Sequence, residues 1–301
     1  MSYSQEDLRN LIIAGQIASR ALDLIVKKVK EGLSIGALYD YAVKLISQKE
    51  GVDLAFPPNI SVNAVAAHDT AAINESRRFK KNDLVKIDIG ANVGGMLSDV
   101  ARTVSIGGKY SRLIKAAEEG LRNALEIIKP DVRLNDLGRI IQRTIEGYGF
   151  KPIANLTGHQ LDKGRLHAGT SIPNVDSKLG VMAKKRLKAG MIVAIEPFAT
   201  NGKAGLIMDY GKPLIFSMRG KPKSKIGLVL YERYGELPFS LRCAARYLES
   251  QKMNVPEIDL VLKQDNFHGY PPLIEKTGGL VSQAEHSVLV TKNGCKILTE
   301  T

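Results

Sequence analysis

Apolar positions recur at helical spacing from the start of the chain. Leu8, Leu11, Ile12, Ala18, Leu22, Ile25 and Val29 predict an amphipathic helix that ends near Gly32. Ser4 stands at its N-cap position and Asp7 three residues later, the arrangement of a capping box. The same spacing predicts helices over 35–49, closed by Gly51, and over 109–129 and 134–148, separated at Pro130. Strand patterning follows a different rule. Val85, Ile87 and Ile89 alternate with Lys86 and Asp88, and Met96 to Thr103 is the return strand. A hairpin centred between Val93 and Gly94 sets Asp88 directly opposite Asp99. Met191 to Ile195 is an unbroken apolar run that ends at Glu196, and Gln283 to Val290 is a similar strand carrying Glu285. Two prolines in Phe56-Pro57-Pro58-Asn59 lead us to expect irregular backbone from Phe56 to Asn63.

Residues 197–284 are too many for a bare loop. Helical patterns over 226–234, 239–249 and 257–264, with Pro238 and Pro256 near helix starts, predict structure there. Residues 206–268 are therefore expected to be an inserted small helical subdomain of winged-helix type. Residues 1–205 and 269–301 form the main body, whose two halves look alike.

Composition narrows the class. With 301 residues, 44% hydrophobic and 25% charged, the chain can bury a substantial core as one large or two smaller domains. Two cysteines, Cys243 and Cys295, lack metal-binding spacing, which argues against a disulfide framework or a cysteine zinc site and fits the cytosol. No run has the length of a membrane span, and Met1 to Asn10 is polar, unlike a signal peptide. The formal net charge is +12, and basic residues cluster at 77–81, 184–188 and 212–225. Such runs are either solvated faces or a surface for anionic partners, including RNA and the ribosome.

The candidate chemistry lies in the acids. Opposed carboxylates repel, so Asp88 and Asp99 require a cation or a shared proton, unless both are solvated on an exposed face. His159 and His167 lie in a glycine-rich segment and His68 follows small residues, and none has zinc-finger spacing. Collected in chain order, Asp88, Asp99, His159, Glu196 and Glu285 would neutralise two divalent ions. An oxygen-rich set favours Mn, Fe or Co.

With these residues in place, the sequence resembles the type II methionine aminopeptidases and looks archaeal in its short N-terminus. The matching stretches are 56–68, 86–90, Ser98-Asp99, Gly158-His159, 166–169, 195–198, 270–273 and Glu285-His286. The resemblance implies an α/β (α+β) pita-bread fold with two pseudo-symmetric halves. It implies a cytoplasmic enzyme that removes the initiator methionine from peptides and nascent chains when the second residue is small. By that resemblance two divalent ions per chain are expected, with zinc and nickel as further candidates beside Co, Mn and Fe. Asp88 would hold the more exposed ion, Asp99 and Glu285 would bridge both, and His159 and Glu196 would complete the second. Glu196 would also take up a proton as metal-activated hydroxide attacks the scissile carbonyl. His68 would contact substrate near that amide, and His167 would stabilise the developing oxyanion. Phe56, Leu166 and Tyr270 would line the methionine pocket, an apolar site suited to a flexible, polarizable side chain. A monomer is expected, with ribosome association through the basic surface as an added role.

Two rival readings differ in class. One is a prolidase or X-Pro aminopeptidase of the same fold, which usually carries a large domain before the first aspartate. The other is a non-catalytic relative that binds RNA or the ribosome, which would have no reason to keep five metal-binding groups.

Overall fold

The computed structural model of the protein describes residues 3–176, 185–253 and 267–300. Its frame is a curled antiparallel sheet. Along it run, in order, Val52–Val62, Leu84–Val93, Val100–Ser105, Glu285–Val290, Ile192–Ile195, Thr157–Leu161 and Ser171–Pro173. The first three strands belong to one half of the chain and the rest to the other, and they meet where Glu285 pairs with Ala101.

Each half carries a helix pair on the same face. Helices α1 (Gln5–Val26) and α2 (Ile35–Ile46) bury Leu22, Ile25, Leu38 and Tyr39 against Val85, Ile87 and Ile89. Helices α3 (Ser111–Glu126) and α4 (Leu134–Gly147) bury Leu113, Leu137 and Ile141 against Val193, Ile195 and Val288. This is the two-half pita-bread arrangement. The capping box forms as its residues dictate: the Asp7 N–H donates to Ser4 Oγ at 3.0 Å and the Ser4 N–H donates back to Asp7 Oδ2 at 3.0 Å.

Two local expectations change. The hairpin turns on Gly94-Gly95, with φ of 57° and 85°, because a tight turn of positive φ suits glycine and not Val93. Val93 then pairs with Met96, and Asp88 faces Ala101 rather than Asp99. The stretch expected to be irregular is strand: Val52–Val62 pairs with Leu84–Val93 at the edge of the sheet. Its register slips between Leu54 and Phe56 and between Phe56 and Asn59, which leaves Pro57 and Pro58 out of the ladder.

Within 206–268 the described elements are mixed rather than all helical. Ile215–Met218 pairs with Phe239–Ser240 and with Phe267–Tyr270, beside α5 (Lys225–Tyr234) and α6 (Leu241–Ser250). Phe216, Met218, Ile226, Leu230, Phe239, Ala244 and Leu248 form a core of their own. Ile207–Asp209 instead joins Leu273–Glu275 and Val65–Ala67 in a separate small sheet. The helix expected over 257–264 lies outside the described residues.

Candidate metal centre and cleft

The sheet face away from the helices opens into a cleft of about 350 Å³. Phe56, His68, Asp88, Asp99, His159, Leu166, His167, Glu196, Tyr270 and Glu285 all line it. The topology explains the convergence. Asp88 lies on a central strand, Glu285 opens the strand that joins the two halves, and Glu196 follows the end of Ile192–Ile195. His159 pairs opposite Ala194, and Gly158 permits that approach, since a Cβ there would lie 2.3 Å from the Ala194 carbonyl oxygen.

Asp99 reaches the same point by a different device. It sits in the break between Met96–Leu97 and Val100–Ser105. Its N–H donates to Ser287 Oγ at 2.8 Å, and that hydroxyl donates back to the Asp99 carbonyl at 2.8 Å. Ser98 Oγ donates to the Ala14 carbonyl at 3.0 Å. The aspartates therefore meet although the hairpin register does not oppose them.

One ligand atom each from Asp99, His159 and Glu285 lies within 4.8 Å of the others. His159 Nε2 is 3.3 Å from Asp99 Oδ2 and 3.7 Å from Glu196 Oε1. Burial raises Asp88, Glu196 and Glu285 well above the usual carboxylate range, and their acidic neighbours add to it; burial raises Asp99 as well. Burial pulls His159 down to about 4. Among the described residues no lysine or arginine pairs with these acids. Asp88 Oδ1, Asp99 Oδ1, Glu285 Oε1 and His159 Nδ1 are buried without hydrogen-bond partners. Hard oxygen donors plus an imidazole, crowded and short of positive charge, fit a divalent metal ion.

The other histidines stand nearby. His68 adopts φ of 61°, a strained conformation for a non-glycine residue, and burial lowers its pKa to about 4. Its ring meets Tyr270 edge-on at 5.7 Å, and the rings of His159 and His167 lie 4.4 Å apart. His167 is lowered by desolvation and by His159, although its side chain reaches solvent, which weakens the effect.

Sequence reasoning passed over four residues here. Gln283 Nε2 donates to Glu285 Oε2 at 3.1 Å and to Asp88 Oδ2 at 3.4 Å. Its signal was the two-residue spacing to Glu285, which can share one face. Asn59 lines the cleft beside Phe56, and Ile215 and Pro238 enter it from the insert, which no local pattern announces. The basic runs are less free than their sequence suggests. Arg77 is committed to Asp69 and Glu75 at 2.7 Å each, and Phe79 is buried in the α1/α2 core. Lys212, Arg219, Lys221 and Lys225 are exposed, while Ile215–Met218 between them is buried. Lys184 lies outside the described residues.

Comparison with known proteins agrees with this geometry. The profile of metallopeptidase family M24 matches residues 9–292. The chain belongs to that family. Within M24 its sequence is of archaeal methionine aminopeptidase type. It is 36% identical to a methionine aminopeptidase of Methanocaldococcus jannaschii over 98% of this chain and 99% of the relative. It is 39% identical to one of Archaeoglobus fulgidus, over 96% and 97%. Among solved structures, a Thermotoga maritima methionine aminopeptidase superposes with a TM-score of 0.70 at 23% identity, covering 99% and 98% of the two chains. A thermophilic Arx1 gives 0.82 at 17% identity, covering 99% and 91%. A Pyrococcus furiosus prolidase gives 0.63 at 21% identity and is covered over only 65% of its length, against 99% of this chain. These structural likenesses show the pita-bread M24 fold.

Proposed function

We propose that this M24 metallopeptidase removes N-terminal methionine from peptides and nascent chains whose second residue is small. The observation that carries the reading is the cluster of four acids, without a lysine or arginine partner among the described residues, and His159 in a cleft also lined by Phe56, Leu166 and Tyr270. Asp88, Asp99, His159, Glu196 and Glu285 would hold two divalent ions, with Mn, Fe and Co favoured by the oxygen-rich set and Zn or Ni as further candidates. When bound, the ions supply a nucleophilic water at neutral pH and polarise the scissile carbonyl.

The chain's own groups do the remaining work. Glu196 follows a strand end, where burial and the neighbouring Asp99 and Asp88 raise its carboxyl above the ordinary range, so as a carboxylate it is a stronger base that can take up a proton and return it. His68 is held neutral, and in that state one ring nitrogen donates while the other accepts, so it can contact the scissile amide. His167, at the open side of the cleft, is placed to donate to the carbonyl oxygen as charge develops. Phe56, Leu166 and Tyr270 bind an unbranched thioether side chain and exclude water from it.

The insert expected over 206–268, of winged-helix type, contributes to the pocket through its described residues Ile215 and Pro238. The exposed lysines and arginine of 212–225 are a ribosome contact, and the enzyme works as a monomer in the cytoplasm. Among the described residues no helix is long and apolar enough to cross a membrane.

The test is release of methionine from Met-Ala-Ser by metal-stripped protein with each ion restored in turn, beside an Ala-Pro peptide. Methionine release that depends on added metal is expected. Cleavage of Ala-Pro alone would instead favour a prolidase, and full activity in stripped protein would reject the metal centre.

A further inference from the structure

Asn59 is 6% exposed, lines the cleft and pairs directly opposite Asp88 on the neighbouring strand. Residues so paired carry their side chains on the same sheet face, within about 5 Å of each other at Cβ. Asn59 Nδ2 donates to the Pro57 carbonyl at 2.9 Å. A carbonyl can only accept, so the amide nitrogen must face Pro57 and the orientation of the side chain is decided by chemistry. Asn59 Oδ1 is left buried without a donor. Asp88 Oδ1, across the strand pair, is also unpartnered, while Gln283 serves its Oδ2 at 3.4 Å.

Two neighbouring acceptors without donors call for a group that brings N–H bonds or positive charge. The carboxylate suits a metal ion. The neutral amide belongs to a residue that lines the same cleft as that carboxylate and Phe56. The part of an N-terminal methionine that lies between its side chain and its scissile carbonyl is the α-carbon with its amino group. We infer that Asn59 Oδ1 accepts an N–H from the free α-amino group of the substrate, so that the cleft selects chain termini. A neutral acceptor does this without adding a further charge to four crowded acids. The inference rests on the aminopeptidase reading and assigns the residue that recognises the terminus.

Met-Ala-Ser and its des-amino analogue, 4-(methylthio)butanoyl-Ala-Ser, differ only in the amino group. KM and kcat for the first and the inhibition constant of the second are measured on wild type, Asn59→Leu and Asn59→Ala, each loaded with Mn and assayed for metal content. Loss of one hydrogen bond to a polar or charged donor predicts a rise in KM of about ten- to a hundredfold. The inhibition constant of the analogue and the metal content stay unchanged. Parallel changes in KM and the inhibition constant, no change in either, or loss of metal would overturn the assignment. Should leucine prevent folding, the smaller Asn59→Ala decides by the same ratio. A wild type that releases no methionine from Met-Ala-Ser would reject the aminopeptidase reading itself. An active wild type whose discrimination survives in both variants rejects only the role of Asn59.

Discussion

Asp40 and Asp99 are both aspartates at contacts between distant parts of the chain, and their carboxyls shift in opposite directions. At Asp40 partial burial works against ionisation, but Arg246 and Arg242 donate to it at 2.6–3.1 Å and hold it at about 2, below its ordinary 3.8. The same Arg242 reaches the carbonyls of Ala72 and Ile73, so this cluster fastens α6 of the insert onto α2 and the loop after His68. At Asp99 burial raises the carboxyl, and its neighbours are Asp88, Glu285 and Glu196, with no guanidinium among them. The chain supplies cations where the bond is structural and withholds them where the site must receive one. A buried acid cluster left without its own cations therefore marks a place for a ligand rather than a device for stability.

The contrast is tested most strongly by removing metal. Stripped protein is expected to lose methionine release entirely and to melt several degrees lower at neutral pH, since an ion at a hundredfold its Kd adds about 2.7 kcal/mol. Calorimetric scans with and without a chelator measure this, and an unchanged melting temperature would mean that the acids share no tightly held cation. Asp99→Asn comes next. It removes one repelling charge, so the metal-free variant should melt at or above metal-free wild type while activity is nearly abolished. A variant that melts below metal-free wild type would show that Asp99 stabilises the fold by itself.

Smaller effects are expected at the paired cluster. Asp40→Ala should cost about 1 kcal/mol, because the carboxyl is partly open to solvent. Urea unfolding followed through the tyrosines of α6 and its neighbours would report it, with turnover unaffected. The smallest effect is the pH dependence of that difference. The folded pKa of Asp40 is depressed, so its stabilisation is fully present above the unfolded value near 3.8 and is lost as pH falls toward about 2. The gap between wild type and Asp40→Ala should hold from pH 7 to 5 and shrink between pH 4 and 3. A gap that widens with acid would reverse the sign of the ion pair.

Local pattern by itself determined helices α1 to α4 and the central strands, because periodicity, caps and Pro130 act over a few neighbouring residues. It also marked every acid and histidine that meets in the cleft, since charged groups at the ends of apolar strands stand out against their surroundings. Tertiary structure alone decided how they meet. Asp88 and Asp99 converge through a break at Ser98-Asp99 pinned by Ser287, 188 residues away, and not through hairpin register. The proline-rich stretch became strand because its place at the sheet edge tolerates register slips that an interior strand would not. Asn59 and Gln283 gained their meaning only when the fold set both of them beside Asp88, 29 and 195 residues away in the chain. Register, edge position and cross-strand partners depend on residues far apart in the chain, and no window of neighbouring residues contains them.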